Sequence, residues 1–561
     1  MLAAHTTAHR ILEVARALGI HTAFGVHGAN IEDLYAAGQT MGMPMVIAKH
    51  EFAAGAMADG VARMTGAPGM VVTTSGGGAL NVVAALAESY DSRVPVLAVI
   101  GAPPTTLTAR GAFQDMLDPP DTIDLVTVLE GVTGYTGRVR SVSDLDAALR
   151  GASIALQRGL PAALIVPKDV AAQPCNGRHP INDHGPITPQ DRSEDVVASL
   201  DALAVVLAER SASGARICVW VGDDVSRAEA GGRVTTIASM LGAAIVAAPG
   251  GADAIADPAG HAGVTGVMGH PSARRALADA DVCLALGTRM TVTDRAGLDD
   301  LLETTELYHI GVHGPRLPSK TIAVTSIDTA LEHLSRQLAT HKSTSSPAPG
   351  TSQISIDHLV TPPVAHSSLP TLPALMAAIA AQLPHDARVF ADAGNVGAAA
   401  VHHLTPRRSG RFTVALGMGG MGYAIAAGIG AAIDDPSRRS VVIAGDGAFF
   451  MHGMEFHTAV EYDAPVTLIV LNNNAHGMCV TRESLYFPET ASVNRFRSSD
   501  IAGALAAMFA GVTVSHPRDA TDTGLACAAL FAEPGPNCLV VECHSDEIAP
   551  FAPFLPREDS A

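Results

Sequence analysis

The sequence is short of charge. Asp, Glu, Lys and Arg make up 16% of its 561 residues, against about 25% in ordinary soluble domains, while hydrophobic residues reach 48%. A large buried interior or extensive subunit contacts account for such a balance. Cations are scarcest: 36 Lys and Arg face 55 Asp and Glu, a net charge of −19. No basic cluster stands out, so a nucleic-acid partner is not expected. The seven cysteines (Cys175, Cys218, Cys283, Cys479, Cys527, Cys538 and Cys543) include no C-x-x-C pair. In so long a chain they read as reduced thiols, and Cys543-His544 lacks the second pair a zinc site needs. No apolar run reaches the roughly 20 residues that span a bilayer. The stretch MLAAHTTAHRILEVARALG lacks a signal-peptide core and spaces Ile11, Leu12, Ala15 and Leu18 as an amphipathic helix does. A cytoplasmic protein without membrane contact is expected. The Gly-rich TTSGGGALN, residues 73–81, has no Lys and does not fit G-x-x-x-x-G-K, which argues against an ATP site.

Short apolar runs alternating with helical stretches fill most of the chain. TAFGVHG, MVIAKH, GMVVTTS, VPVLAVIG and AALIVP are candidate strands of one section. ARICVWVG, AAIVAAP, VCLALGTR and LYHIGV belong to a second, which also carries a helical segment over residues 272–280. Such alternation predicts α/β domains with mainly parallel sheets. At this length about three domains are expected, with boundaries at 1–172, 190–340 and 370–555. The Pro-containing stretches 173–189 and 341–369 read as linkers.

The most informative stretch is GDGAFFMHGMEFHTAVEYDAPVTLIVLNNNAHGM, from Gly445 to Met478. It reads as strand, tight turn, helix over residues 451–462, strand and turn. A βαβ unit returns its second strand parallel to the first, so Asp446 and Asn473 emerge at one carboxyl edge. A carboxylate and an amide oxygen there suit Mg²⁺, and Gly445 and Gly447 let backbone N–H groups approach a phosphate.

GDG followed by NN at this spacing resembles the motif of thiamine diphosphate enzymes, closest to the acetolactate synthase and benzaldehyde lyase branch. That resemblance implies a pyrimidine-binding, a central and a diphosphate-binding domain in this order. It implies that Asp446, the Asn473 side chain and the Ala475 carbonyl hold Mg²⁺, with Ala448, His476, Gly477 and Met478 also beside the cofactor. In FADAGNVG, Gly394 and Asn395 match positions bordering the diphosphate. In ALGMGGMGYAIAAG, Met421 matches a methionine wedged between the two cofactor rings, and the Gly419 carbonyl the acceptor of its amino group. Met421 is otherwise core filler.

In KHEFAAGAMADG, followed by TTSGGGALN and GAFQD, Glu51 matches the glutamate that hydrogen-bonds the aminopyrimidine, where a carboxyl group moves the proton that activates the thiazolium. Alone, Glu51 would read as an acid offsetting a helix dipole. Gln114 matches a glutamine lining the cofactor and able to meet an oxyanion; the bland reading is a polar loop residue. FGVHGANIEDLY resembles benzaldehyde lyase, but Asn30 stands where that enzyme has a proton-transferring histidine. His27 either meets substrate or caps the next helix. His476 either transfers a proton or shapes the pocket; Arg482 either pairs a substrate carboxylate or is a solvated charge.

The function expected is a carboligase moving an acyl group from a 2-oxoacid such as pyruvate to a carbonyl acceptor. The alternatives are a 2-oxoacid decarboxylase, an acyloin- or diketone-cleaving lyase, and a non-catalytic cofactor-binding protein. GVTGVMGHPSARRALADADVCLALGTR resembles part of a region that binds FAD in one type of acetolactate synthase, yet also fits a FAD-free relative, so FAD is not favoured. The resemblance implies a homodimer or homotetramer with active sites between subunits.

Overall fold

The structure, a computed structural model, describes residues 5–175, 194–255, 260–341, 354–364, 367–404 and 410–555. Three sheets of six parallel strands succeed one another. The first holds β1 (Ala23–Val26), β2 (Met45–Ile47), β3 (Gly69–Thr73), β4 (Val96–Ala102), β5 (Tyr135–Arg138) and β6 (Ala162–Pro167), in the order β2-β1-β3-β4-β6-β5. The second holds β7 (Ile217–Val221), β8 (Ala244–Ala247), β9 (His261–Val264), β10 (Val282–Leu286), β11 (Glu306–Gly311) and β12 (Lys320–Ala323), in the order β12-β11-β10-β7-β8-β9. The third holds β13 (Arg388–Ala391), β14 (Arg411–Val414), β15 (Ser440–Gly445), β16 (Val466–Asn472), β17 (Thr513–Ser515) and β18 (Asn537–Glu542), in the order β14-β13-β15-β16-β18-β17. The linker stretches 173–189 and 341–369 lie largely outside the described residues. Among the described residues no helix is long and apolar enough to cross a membrane.

Parallel sheets covered by helices on both faces need strands that are apolar throughout. The runs that form β4 and β16 are therefore buried at every position. The strands not anticipated from the sequence in the first two sections, β5, β9 and β12, all lie at sheet edges, where an apolar run is not required. YTGR in β5 and the mostly exposed KTIA in β12 carry little strand signal.

In the first and third sheets the edge pairs β6-β5 and β18-β17 are inverted. Away from its edges each sheet reverses its strand order at one place: between β1 and β3, between β7 and β10, and between β13 and β15. Loops leaving the carboxyl ends of such a pair diverge to opposite sides and open a crevice. These are the places where a ligand fits.

The first and third domains pack through two small-residue helices, Glu51–Thr65 and Tyr423–Asp434. A Cβ on Gly60 would stand 2.5 Å from the Ala427 carbonyl oxygen, and one on Gly430 2.6 Å from the Met57 Cα. Only glycine permits so close an approach of backbones.

Candidate active site

At the third crevice, β15 ends at Gly445 and its parallel neighbour β16 continues to Asn472, with Gly445 opposite Leu471. The helix after GDG begins at once, over Asp446–His452, breaks into a single 3₁₀ turn at Gly453–Glu455 and resumes over Phe456–Glu461. It therefore starts five residues before the expected 451. Gly445 takes the extended backbone of an N-cap, and an acid in the first turn offsets the helix dipole. Asp446 is 1% exposed. Burial pushes its carboxyl up to about 6, against the pull of backbone N–H groups of Asn473, Ala475 and Gly447.

The second turn is folded around the same group. The Ala475 N–H donates to Asp446 Oδ2 and to Asn473 Oδ1, both at 3.1 Å. A short bridge to Arg495 is made by Phe496 N–H to the Asn474 carbonyl and by His476 N–H to the Asn494 carbonyl, neither of which uses the Ala475 carbonyl. Three oxygen donors of Asp446, Asn473 and Ala475 thus come from two adjoining turns. Met421 and His476 converge on the neighbouring Gly447: a Cβ there would meet the His476 ring at 2.6 Å and Met421 Cε at 2.9 Å. The His476 ring stands edge-on to Phe496 with centroids 4.8 Å apart. Gly477 sits against the amides of Asn395 and Asn473, each 2.7 Å from where its Cβ would be. Ala448 is buried and Met478 half-buried against the core. Cys479 and Arg482 face solvent.

From β13, Gly394 (φ +90°) caps the helix Asn395–His403. Gly394 and Gly419 (φ +64°) both have open space where a side chain would be. Asn395 Nδ2 donates to the Glu547 carbonyl at 3.2 Å, while its Oδ1 is buried with no hydrogen-bond partner among the described residues. Glu547 itself is buried, its carboxyl raised to about 7 by burial.

The first domain supplies a second group of residues. His50 caps the helix Glu51–Thr65 by accepting from Phe52 N–H, so Glu51 opens that helix and is 9% exposed. Its carboxylate accepts from Asn81 Nδ2 at 2.9 Å and lies against Gly78. At the β1–β3 crevice Asn30 Nδ2 donates to Ser75 Oγ at 2.7 Å, and Ser75 Oγ reaches Gln114 Oε1 at 3.5 Å. His27 is exposed, its ring 4.7 Å from that of Tyr35. It does not cap the next helix, whose N-cap Ile31 has no side-chain bond.

Two clusters result. The structure joins Asp446, Asn473, Ala475, His476, Gly477, Met421 and Asn395 in the third domain, and Asn30 with Gln114 through Ser75 in the first. Among the described residues, no hydrogen bond links Glu51 to the third-domain cluster. Asp392 and Glu547 were not singled out from the sequence. Asp392 follows β13 and accepts from Ala393, Gly422 and Ala424 N–H groups; no local spacing marks a carboxylate two of whose partners lie 30 and 32 residues away.

The third-domain cluster fits a diphosphate held through a divalent cation. Its donors are all oxygen, as Mg²⁺ requires. The buried Asp446 carboxyl is raised by burial in the way an attached cation would reverse. Open glycine backbones at 394 and 419 leave room for a ligand.

Family models agree with this geometry. Residues 5–123 match the thiamine pyrophosphate enzyme N-terminal TPP binding domain, 206–334 the central domain, and 392–541 the C-terminal TPP binding domain. Sulfoacetaldehyde acetyltransferase of Castellaniella defragrans is 27% identical over 551 residues, covering 92% of this chain and 89% of the relative. Acetolactate synthase isozyme 2 large subunit of Escherichia coli is 24% identical, covering 97% and 96%. The probable 2-ketoarginine decarboxylase of Pseudomonas aeruginosa is 26% identical, covering 84% and 83%. The fold and its crevices are those of a three-domain α/β enzyme that makes or breaks carbon–carbon bonds. The chain belongs to the thiamine pyrophosphate (thiamine diphosphate) enzymes, with acetolactate synthases among its relatives.

Proposed function

We propose that the protein is a carboligase that takes an acyl group from a 2-oxoacid such as pyruvate and transfers it to a second carbonyl compound. The observation that carries the cofactor reading is the oxygen-only set of Asp446, Asn473 and Ala475, with Met421 and His476 against the adjoining Gly447. Relatives named as an acetyltransferase and as acetolactate synthases, spanning nearly the whole chain, support acyl transfer. Bound there, thiamine diphosphate supplies a nucleophilic carbon and a sink for the electron pair released from the donor. Asp446, Asn473 and Ala475 hold its Mg²⁺, and the amides at Gly394 and Asn395 meet phosphate. Glu51 exchanges a proton with the aminopyrimidine ring, and Gln114, oriented by Ser75 and Asn30, donates to the acceptor oxygen. His27 and His476 line the substrate side.

Incubation with pyruvate, with and without aldehyde or ketone acceptors, tests this reading. A ligated hydroxyketone or hydroxyacid is expected, and release of free aldehyde alone would discard it in favour of a decarboxylase, the activity in one relative's name. Calorimetry with thiamine diphosphate and Mg²⁺ separates either enzyme from a non-catalytic protein.

We also propose that FAD is not needed. The β7–β10 crevice holds a cavity of about 50 Å³ whose lining includes Asp223, Gly287, Arg289 and Asp294, and Arg289 reaches across it to donate to the Asp91 carbonyl. Purified protein should show no flavin absorption. The seven free thiols support a cytoplasmic location. A homodimer or larger assembly is supported by exposed apolar side chains beside each half-site: Phe113, 87% exposed, next to Gln114, and Phe450 and Met451, 53% and 52% exposed, on the Asp446 helix.

A further inference from the structure

We propose that Glu88 and Asp392 are positioning residues for Met421, each gripping backbone N–H groups on one side of the loop that carries it. This inference rests on the thiamine diphosphate reading above. Glu88, in the first-domain helix Val83–Ser92, is 3% exposed. Its Oε1 accepts from Gly417 N–H at 3.3 Å and its Oε2 from Met418 N–H at 2.6 Å. Asp392, 2% exposed at the end of β13, accepts from Gly422 N–H through Oδ1 and from Ala424 N–H through Oδ2, both at 2.9 Å.

Between these anchors stand Gly419, Gly420 and Met421. Glycine gives up more conformational freedom on ordering than any other residue. Gly419 has no atom within 4 Å of where its Cβ would be. Little within the segment therefore fixes the direction of Met421, and its placement over Gly447 depends on where the flanking residues are held. A carboxylate suits each end because its two oxygens can take two N–H groups at once. At the downstream end Asp392 also does what no local side chain does: the helix Tyr423–Asp434 has Gly422 as N-cap and no side-chain cap.

The upstream anchor is tied to the helix that begins at Glu51. Arg63 Nη2 donates to Glu88 Oε1 at 3.2 Å and Arg63 Nε to Asp59 Oδ1 at 2.6 Å. The Tyr423 hydroxyl also donates to Asp59. One buried cluster thus sets the Met421 loop in register with the first domain.

Asp392→Asn and Glu88→Gln each keep the shape of the side chain and remove one acceptor. Two measurements test the inference: hydrogen exchange of residues 415–424 in the cofactor-free protein, and calorimetric titration with thiamine diphosphate and Mg²⁺, repeated in a Met421→Ala background. Exchange of the loop amides should rise about tenfold while amides of β16 stay unchanged. Cofactor affinity should fall about tenfold, and that loss should vanish once Met421 is already alanine, as a coupled pair requires. Unchanged exchange, or losses that add to that of Met421→Ala, would overturn the inference while leaving the proposed function intact. Wild-type protein that binds no thiamine diphosphate would instead remove the proposed function and this role with it. If Glu88→Gln does not fold, because Arg63 loses one of its two charge partners, Asp392→Asn carries the test alone.

Discussion

At the residue scale the argument turns on what a single carboxylate can reach. Glu51 is held by Asn81 and by its place in the first turn of a buried helix. A glutamine there keeps an oxygen for Asn81 but cannot exchange a proton. Glu51→Gln should therefore fold and bind thiamine diphosphate with affinity within a few-fold of wild type, while turnover falls by about 10²- to 10⁴-fold. Near-normal turnover with cofactor bound would remove Glu51 from its role. Glu51, Asp446 and Asn473 were legible in the sequence because each sits in a compact motif at a strand end. Asp392, Glu88 and Ser75 were not, because their partners at Gly422, Gly417 and Gln114 are remote in sequence.

At the scale of elements, two of the contacts between domains each make a distinct prediction. The crossing of Glu51–Thr65 with Tyr423–Asp434 is limited by backbone at Gly430. Gly430→Ala should lower stability by about 1–3 kcal/mol through overpacking, seen as a lower unfolding temperature; an unchanged transition would show that the helices can separate freely.

The second contact joins the middle and third domains through stacked rings of His270 and His402, 4.2 Å apart with planes 15° from parallel. Val264 N–H donates to His270 Nδ1, whose Nε2–H donates to the His402 carbonyl. Leu359 N–H donates to His402 Nε2, whose Nδ1–H donates to the Met268 carbonyl. Ring nitrogens of these two residues and His358 lie within 4.8 Å of one another. A cation is nevertheless disfavoured, because parallel rings do not converge their lone pairs and the nitrogens of the stacked pair are taken by backbone. Both rings must be neutral. Burial lowers His270 to about 4 and His402 to about 3, with like-charge repulsion among the neighbouring histidines adding to it.

Since the unfolded chain takes up these protons near pH 6.5 and the folded one does not, this contribution to stability is complete above about pH 6.5 and is lost as pH falls toward about 4. Asp392, Asp446 and Glu547, raised by burial to about 6, about 6 and about 7, act with the opposite sign. A difference measurement separates them. Between about pH 7.5 and about pH 5 the unfolding temperature of wild type should fall more than that of a His270→Gln, His402→Gln double variant. Parallel curves would refute the role of the histidines. Central strands such as β4 and β16 could be read from their apolar runs. The edge strands β5 and β12, and this histidine contact, could not, since all depend on neighbours that only the fold supplies.

At the scale of the whole molecule, the proposed assembly becomes a prediction about which chain supplies each cluster. Within one chain the Glu51 carboxylate is bonded in its own domain, and no hydrogen bond carries it to Asp446, Asn473 or Met421 among the described residues. We propose, with the assembly above, that the first domain of one protomer faces the third domain of another, so that both clusters meet on one cofactor. Glu51→Gln and Asp446→Ala should each be inactive alone if the roles proposed above, proton carrier and metal ligand, hold. When the two variants are unfolded and refolded together, or co-expressed, half of the dimers are mixed. Each mixed dimer then has one site carrying both changes and one carrying neither, so about a quarter of wild-type turnover should return. A site built within one chain predicts no recovery at any mixing ratio. Turnover of the mixture, measured beside each variant alone and normalised to total protein, therefore decides whether the site is shared between protomers or complete in one chain.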